Sequence, residues 1–395
     1  MLRTDYDFDA IVAGAGAGGA AAAYYLARAG LNVLAVDRAH LPRYKPCGGA
    51  IPSVTLAGFP FPVDEVVRAR PSSVKFTFPR RSPVQVPLPD RPITMVRRSE
   101  FDALLLAAAA SSGAEVWDDQ AVTDIDEKAS GVRVTVGERV VTAAYLVGAD
   151  GATSTVARRL GLTQRRSLGT ALEAEVALDR TGQLAGAYGH QAVVALGALP
   201  WGYAWIFPQG DCLSIGVARF RPGHTDLRAA LLAQMRELGI GMNGIVLHGH
   251  PIPCYQAPPW PFWHGRPQPV LTTRRCILVG DAAGLVDPLF GEGIRYAIKS
   301  ARLAAAAIVA EDLAGYEQAV WHEIGHSLAT AGLVAQWLYR LPWLSYLMGP
   351  SNPGAVRHLA DILSERYSYQ GVGRRLIALT ALWLCGFINE QGERR

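Results

Sequence analysis

The segment 9–20, DAIVAGAGAGGA, constrains this chain more than any other. Gly14, Gly16 and Gly19 stand between an apolar strand-like run and an alanine-rich run that predicts a helix over Ala20–Arg28, with a turn at Gly30. The next apolar run, Asn32–Val36, closes on Asp37. This is the dinucleotide fingerprint in its required context: one glycine permits the tight turn, one lets the backbone approach a pyrophosphate, and one lets helix and strand pack closely. The pyrophosphate rests on free amide N–H groups at the helix start. Asp37 is placed to accept hydrogen bonds from ribose hydroxyls. An ADP-containing cofactor is therefore expected.

Two later segments bear on which dinucleotide. Residues 144–162, AYLVGADGATSTVARRLGL, read as a strand running into Asp150-Gly151 and then a helix whose Arg158 and Arg159 face outward. Residues 275–308 read as a strand, then Gly280-Asp281, a loop containing Pro288 and Gly291, and a helix from about Gly293. A carboxylate at a strand end can hold a polyol or ribose, and a Gly-rich helix start can face an anion or an electron-rich ring edge. Together with the fingerprint, these segments resemble the p-hydroxybenzoate-hydroxylase-like class of flavoproteins. The resemblance implies FAD rather than NAD as the resident cofactor. It implies that Gly280-Asp281 contacts ribityl and pyrophosphate, that Gly293 and Ile294 approach the flavin ring, and that Asp150 marks a segment shared by cofactor binding and nicotinamide docking.

A single nucleotide contacted by residues so far apart in sequence implies a discontinuous domain. The expectation is an α/β plus α+β chain: a Rossmann-like FAD domain from residues 1–62, 98–165 and 271–315, and an inserted antiparallel-sheet substrate domain from 63–97 and 166–270. A helical region, 316–395, completes it. Prolines at 60, 62, 71, 79, 83, 87, 89 and 92 mark the first boundary. Alternating runs at 74–78, 84–88, 171–178, 192–196, 203–208 and 212–218 predict the strands of the inserted sheet. At 395 residues, two or three domains are expected.

Half of the residues are hydrophobic and 18% are charged, which hints at a greasy ligand or a membrane surface. The net charge of +4 is modest, and the arginine pairs at 80–81, 97–98, 165–166 and 394–395 form no aromatic-interleaved basic stripe, so nucleic acid is not an expected partner. Five cysteines, at 47, 212, 254, 276 and 385, are odd in number and form no C-x-x-C pair. A reducing, cytoplasmic setting fits. The acidic first residues do not make a signal peptide.

Three segments carry a finer resemblance. RYKPCGGAIP at 43–52, RSEFD at 98–102 and PWGYAWIFP at 200–208 together look like the geranylgeranyl reductase family, which saturates isoprenoid double bonds using FAD. The likeness spans roughly residues 7 to 310 and is least diagnostic in the helical-looking C-terminal stretch. It implies that Pro46, Cys47 and Gly49 lie beside the flavin, that Arg98 contacts the cofactor and that the backbone near Val122 meets the adenine. Ala17, Gly18 and Arg38 join the cofactor set by the same likeness, and Tyr203 and Trp205 line the cavity facing the ring. Asp37 stands where the family more commonly has Glu, which is equivalent for a ribose contact.

The residue types suit that reaction. An isolated alkene has no carbonyl to stabilise a carbanion, so hydride from reduced flavin adds only if the other carbon is protonated in nearly the same step. Cys47 is a candidate proton donor, held close to a planar ring by the flexible Gly48-Gly49, provided its thiol stays protonated. Water or Tyr203 are alternatives, and a small buried cysteine that merely packs is the plainer reading. Tyr203, Trp205, Phe207 and Trp201 suit a long apolar pocket and can favour positive charge on an alkene carbon. Alternating aromatics on a strand also pack as ordinary sheet core.

His322-Glu323-Ile324-Gly325-His326 satisfies H-E-x-x-H, which on one helix face would bind zinc. Gly325 within that turn weakens the reading, as does the lack of a third ligand better than His358 or Glu365, and no metal is expected. The apolar runs at 331–348, interrupted by Pro342, and at 376–388 fall short of the roughly 20 residues needed to span a bilayer. They suit a buried helix, a pocket cap or peripheral membrane contact.

The expected function is that of a geranylgeranyl reductase-like FAD enzyme acting on a prenylated pigment, quinone, lipid or diphosphate, with NADPH or reduced ferredoxin as electron donor. The alternative is a flavin monooxygenase or halogenase-related enzyme on the same fold. A flavin-binding protein without catalysis is disfavoured by Pro46-Cys47-Gly48-Gly49.

Overall fold

The computed structural model describes residues 6–162, 167–180, 184–257 and 270–350. The chain divides into two compact units. The first takes Met1–Lys45, Arg98–Ser167 and Pro251–Ala329, and the second takes Pro46–Arg97, Leu168–His250 and Thr330–Arg395. The first crossing therefore falls after Lys45 rather than near residue 62, because Ala50–Pro52 pairs with Ile93–Val96 in a small sheet of the second unit.

In the first unit the strand Phe8–Ala13 lies between Val33–Val36 and Arg139–Gly148, both parallel to it. Glu115–Trp117 extends the parallel sheet beyond Val33–Val36, and Cys276–Leu278 extends it beyond Arg139–Gly148. Val33–Val36 is buried at every position, as expected for a parallel strand whose two faces are both covered. An antiparallel ribbon, Val132–Val136 with Val122–Glu127, completes the sheet.

The fingerprint helix runs Ala17–Arg28 and starts three residues before the position its alanines suggested. The earlier start follows from packing. The helix lies against Ile294–Val309 and Arg98–Ser111, and a Cβ on Gly18 would already sit 3.3 Å from that of Ala297. Alanine and glycine are what such a close approach admits. Around it Phe101 and Leu105 are buried, each contributing about 1.5–3 kcal/mol by leaving water.

The sheet of the second unit includes, in spatial order, Ser167–Ala177, Cys212–Arg219, Gly202–Pro208, Gln191–Leu196, Ser73–Thr77 and Val84–Pro87. Among these six strands the pairings are antiparallel except that of Gln191–Leu196 with Ser73–Thr77. The pleat sorts its two faces. Ala204, Ile206, Leu213, Ile215 and Val217 join Leu231 and Met235 of the helix Leu227–Glu237 in one core. Tyr203, Trp205 and Phe207, at the alternate positions, belong to the opposite face.

The expected C-terminal helical region is shared between the units. Tyr316, fully buried, donates its hydroxyl to Leu278 O at 2.8 Å in the first unit. Tyr346 donates to Ser82 O at 2.8 Å in the second. Pro342 opens the helix Pro342–Met348 after His326–Arg340 has ended, where its missing N–H costs nothing. The run 376–388 lies outside the described residues, as do His358 and Glu365. Among the described residues no helix is long and apolar enough to cross a membrane.

Candidate active site

The first unit builds a cradle from backbone. Gly14 has φ +97°, and a Cβ there would lie 2.5 Å from Ala149 O; at Gly19 a Cβ would lie 1.7 Å from Gly14 O. Gly16 caps the helix with no side-chain bond, and the first turn contains no acid, so its N–H groups face outward with a positive dipole. A Cβ on Gly16 would be 3.3 Å from an Arg43 Nη and 3.8 Å from an Arg98 Nη.

Those two arginines are held by carboxylates. Arg98 makes a bidentate pair with Asp102, at 2.9 and 2.8 Å, and both are buried. Arg43 spans Asp37 at 3.5 Å and Asp102 at 3.7 Å. Asp37 accepts from Ala15 N at 2.8 Å and Ala39 N at 3.0 Å, which docks it against the glycine turn. Arg43 opens the 43–52 segment singled out in the sequence, but no site role was expected of it. Arg38 is exposed, and Val122 begins the strand Val122–Glu127.

The three separated segments expected to bind the cofactor meet inside this unit. Val279 N donates to Gly148 O at 2.9 Å, and Gly14 abuts Asp150. Asp150 is engaged locally: its Oδ1 accepts from Ser154 Oγ at 2.5 Å and its Oδ2 from Thr155 N at 2.6 Å, capping the helix Thr155–Arg159. Asp281 lies 3.5 Å from Lys45 Nζ, and a Cβ on Gly293 would sit 3.1 Å from Asp281 Oδ1. Ile294 opens the next helix. The loop between is organised by Asp287, wholly buried, whose Oδ1 accepts from Leu289 N at 2.6 Å and Phe290 N at 3.2 Å. Pro288 marked this loop in the sequence, but the turn signal of Asp287 before it was left unread.

The second unit holds the other motif residues. Trp205 lies over Gly216, where a Cβ would be 2.2 Å from its Cζ2, and Tyr203 and Phe207 flank it with ring centroids at 6.1 and 6.2 Å. Phe220 meets Tyr203 at 5.5 Å, and Tyr339 meets Phe220 at 5.9 Å and Trp201 at 6.1 Å. Arg221 stacks 3.6 Å over Trp201, and burial together with the charge of Arg340 lowers its pKa. A small open cleft lined by Leu199, Pro200, Leu338, Tyr339 and Pro342 adjoins this aromatic row.

The turn after Pro46 sits on the same strand. A Cβ on Gly48 would be 2.8 Å from Phe207 Cδ2 and 3.4 Å from Trp205 Nε1, so glycine alone lets the backbone lie on these rings. Gly49, at φ +74°, turns the chain so that its N–H reaches Cys47 Sγ at 3.4 Å. Gln209, 1% exposed, donates to Gly48 O at 3.1 Å. Beside it Arg97 bonds Asp211 and reaches Cys212 Sγ at 3.1 Å. Burial opposes the Arg97 charge, but these two partners outweigh it and raise its pKa. Cys212, Cys254 and Cys276 are buried, and burial pushes each thiol above its ordinary range. Cys47 is the half-buried thiol among the described residues.

The H-E-x-x-H segment departs from the α-helical spacing a zinc pair requires. Trp321–Gly325 forms a π-turn, His322 Nε2 lies 2.5 Å from Gln318 Nε2, and the Trp321 ring lies 4.3 Å from that of His326. Among the described residues there is no cluster fit to hold a metal ion.

Comparison with known proteins accords with this geometry. Residues 7–182 match the family model described as an FAD binding domain. The chain is 32% identical over 318 residues to a geranylgeranyl diphosphate reductase of Rhodobacter capsulatus, covering 77% of this chain and 75% of that one. It is 30% identical over 377 residues to a menaquinone reductase of Mycolicibacterium smegmatis, covering 88% of each. A solved geranylgeranyl bacteriochlorophyll reductase-like protein from Thermoplasma acidophilum shares the fold, with a TM-score of 0.72 at 22% identity over 94% of this chain and 96% of its own.

Proposed function

This chain belongs to the geranylgeranyl reductase family of FAD-dependent oxidoreductases, and from that premise we propose that it saturates carbon–carbon double bonds of a prenylated substrate. The observation that carries the reading is the seating of Gly48 against the Phe207 and Trp205 rings, because it ties the turn that carries the half-buried Cys47 thiol to the aromatic strand. FAD, when bound, supplies the hydride for such a reduction. The cradle fits that cofactor: the glycine turn admits no side chain, and Arg43 and Arg98 stand at the bare helix start where a pyrophosphate would need cations.

The roles assigned to the residues follow. The backbone from Gly14 to Gly19, with Ala17 and Gly18, holds the pyrophosphate; Asp37 and Arg38 attend the ribose side, Val122 the adenine, Asp281 the ribityl and pyrophosphate, and Gly293 and Ile294 the ring, while Asp150 marks the segment shared by cofactor and nicotinamide. The second unit takes the substrate. Tyr203 and Trp205 present ring faces to the prenyl chain and favour positive charge on the carbon being protonated. Cys47 holds the proton at Sγ, with Gly49 N–H fixing the thiol rotamer.

NADPH or reduced ferredoxin would serve as donor. Peripheral membrane contact is part of the reading, supported by Trp337 and Trp343, 72% and 53% exposed, because tryptophans on an apolar surface suit a bilayer interface. Retention in the supernatant with anionic liposomes would remove that element. The central test is anaerobic reduction of the yellow holoenzyme followed by prenyl alcohols, diphosphates and quinones, with product masses read. A gain of two hydrogens per bond is expected. Incorporation of oxygen or halogen under air would instead select the monooxygenase or halogenase alternative.

A further inference from the structure

The carboxylate that joins the thiol turn to the aromatic strand belongs to no motif. Glu173, 2% exposed, accepts from Cys47 N at 2.7 Å through Oε1 and from Ser214 Oγ at 3.1 Å through Oε2. Ser214, fully buried, is 3.0 Å from Trp205 Nε1. The direction of this relay is forced. An indole nitrogen and a backbone amide only donate, so Ser214 Oγ accepts from Trp205 and passes its own hydrogen to Glu173.

The sheet register explains how three side chains meet. Gly216 pairs with Glu173 on one side and Trp205 on the other, so the three lie in one row across three adjacent strands. With no side chain in the middle of that row, the indole lies over Gly216 toward the carboxylate. Ser214, two residues along the central strand on the same face, closes the gap. Cys47 reaches the row from 126 residues away in sequence.

We propose that Glu173 is a positioning residue that, through its own bond to Cys47 and through Ser214 to Trp205, holds the thiol and the indole as one rigid pair. Its two oxygens set the distance between the group that gives up a proton and the ring that faces the cationic carbon. Drawing on the Trp205 N–H through Ser214 also raises electron density on the indole face. The inference rests on the reductase reading for its kinetic consequence but not for its structural one.

The experiment uses full-length holoenzyme carrying Glu173→Gln or Ser214→Ala. It reads FAD content, the rate of flavin reduction, anaerobic turnover of geranylgeranyl diphosphate as kcat and KM, and the rate of Cys47 alkylation by iodoacetamide located by peptide mass. An amide keeps the size of Glu173 but offers one acceptor atom where two donors point. Glu173→Gln is expected to keep its FAD and its flavin-reduction rate, lower kcat by about 10²-fold as reacting groups lose alignment, and leave KM within about threefold since ground-state binding is untouched. Cys47 alkylation rises several-fold. Ser214→Ala cuts only the indole arm, so kcat falls about tenfold by the same misalignment argument, while alkylation stays at the wild-type rate.

Unchanged kcat and alkylation in Glu173→Gln overturn the proposal, as does loss of FAD and flavin reduction in step with kcat, which is the pattern of general damage. Should Glu173→Gln not accumulate folded, Ser214→Ala decides: full kcat rejects the relay. If the wild type reduces no prenyl compound, the reductase reading fails by itself, and the alkylation rates still decide whether Glu173 holds Cys47.

Discussion

The cofactor cradle of the first unit and the thiol turn of the second are built from opposite materials. Gly14, Gly16 and Gly19 make a surface from peptide groups, backed by the chain at Ala149 and Asp150 and flanked by Arg43 and Arg98. The thiol turn is held by side chains from distant strands: Glu173 on Cys47 N, Gln209 on Gly48 O, and the Trp205 and Phe207 rings beneath Gly48. A site made of backbone tolerates no added atom but survives changes around it. One made of side-chain relays folds without its partners and loses alignment instead. Substitutions in the cradle should therefore remove the cofactor, and those in the turn should spare it.

The largest expected effect tests the cradle at its tightest point. Gly19→Val places carbon within the peptide of Gly14, so a loss exceeding about 4 kcal/mol is expected, with colourless or insoluble protein as the readout. A yellow, cooperatively melting variant would break the comparison. Next, Arg98→Ala leaves buried Asp102 with only the longer contact to Arg43, and breaking such a pair costs about 3 kcal/mol. Urea unfolding and flavin titration should both register it.

The turn should answer differently. Cys47→Ala is expected to keep stoichiometric FAD while turnover falls about 10²-fold, the usual share of a positioned proton donor; unchanged turnover removes the thiol from the mechanism. Gly48→Ala forces Phe207 to move and should cost about 1–2 kcal/mol of stability, with flavin retained and turnover reduced.

The smallest effect lies at the rim of the same turn. Arg97 lowers the pKa of Asp211, chiefly by direct hydrogen bonding, against the opposing effect of burial. The folded-state pKa lies below the unfolded one, so the stabilisation is present above the unfolded value and disappears as pH falls through the folded one. Asp211 is 77% exposed, and screening keeps its share under about 1 kcal/mol. Asp211→Asn should thus melt slightly below wild type at pH 7 and converge with it in acid.

Much of this was legible in one dimension because local rules govern it. The glycine spacing with its flanking strand and helix, the alternation of the strands at 203–208 and 212–218, and the break at Pro342 each report a constraint between near neighbours. The glycine cradle and the two-faced sheet follow from such constraints. Contact between distant residues leaves no such mark. Arg43 between two carboxylates, Asp287 inside its loop, and the row Glu173, Gly216, Trp205 became visible only when the strands were laid side by side. The π-turn through Trp321–Gly325 is of the same kind, since packing overrode the regular helix its sequence suggested. Backbone geometry is dictated residue by residue and can be read from the chain; hydrogen-bond partners across strands depend on register, and only the folded sheet decides that.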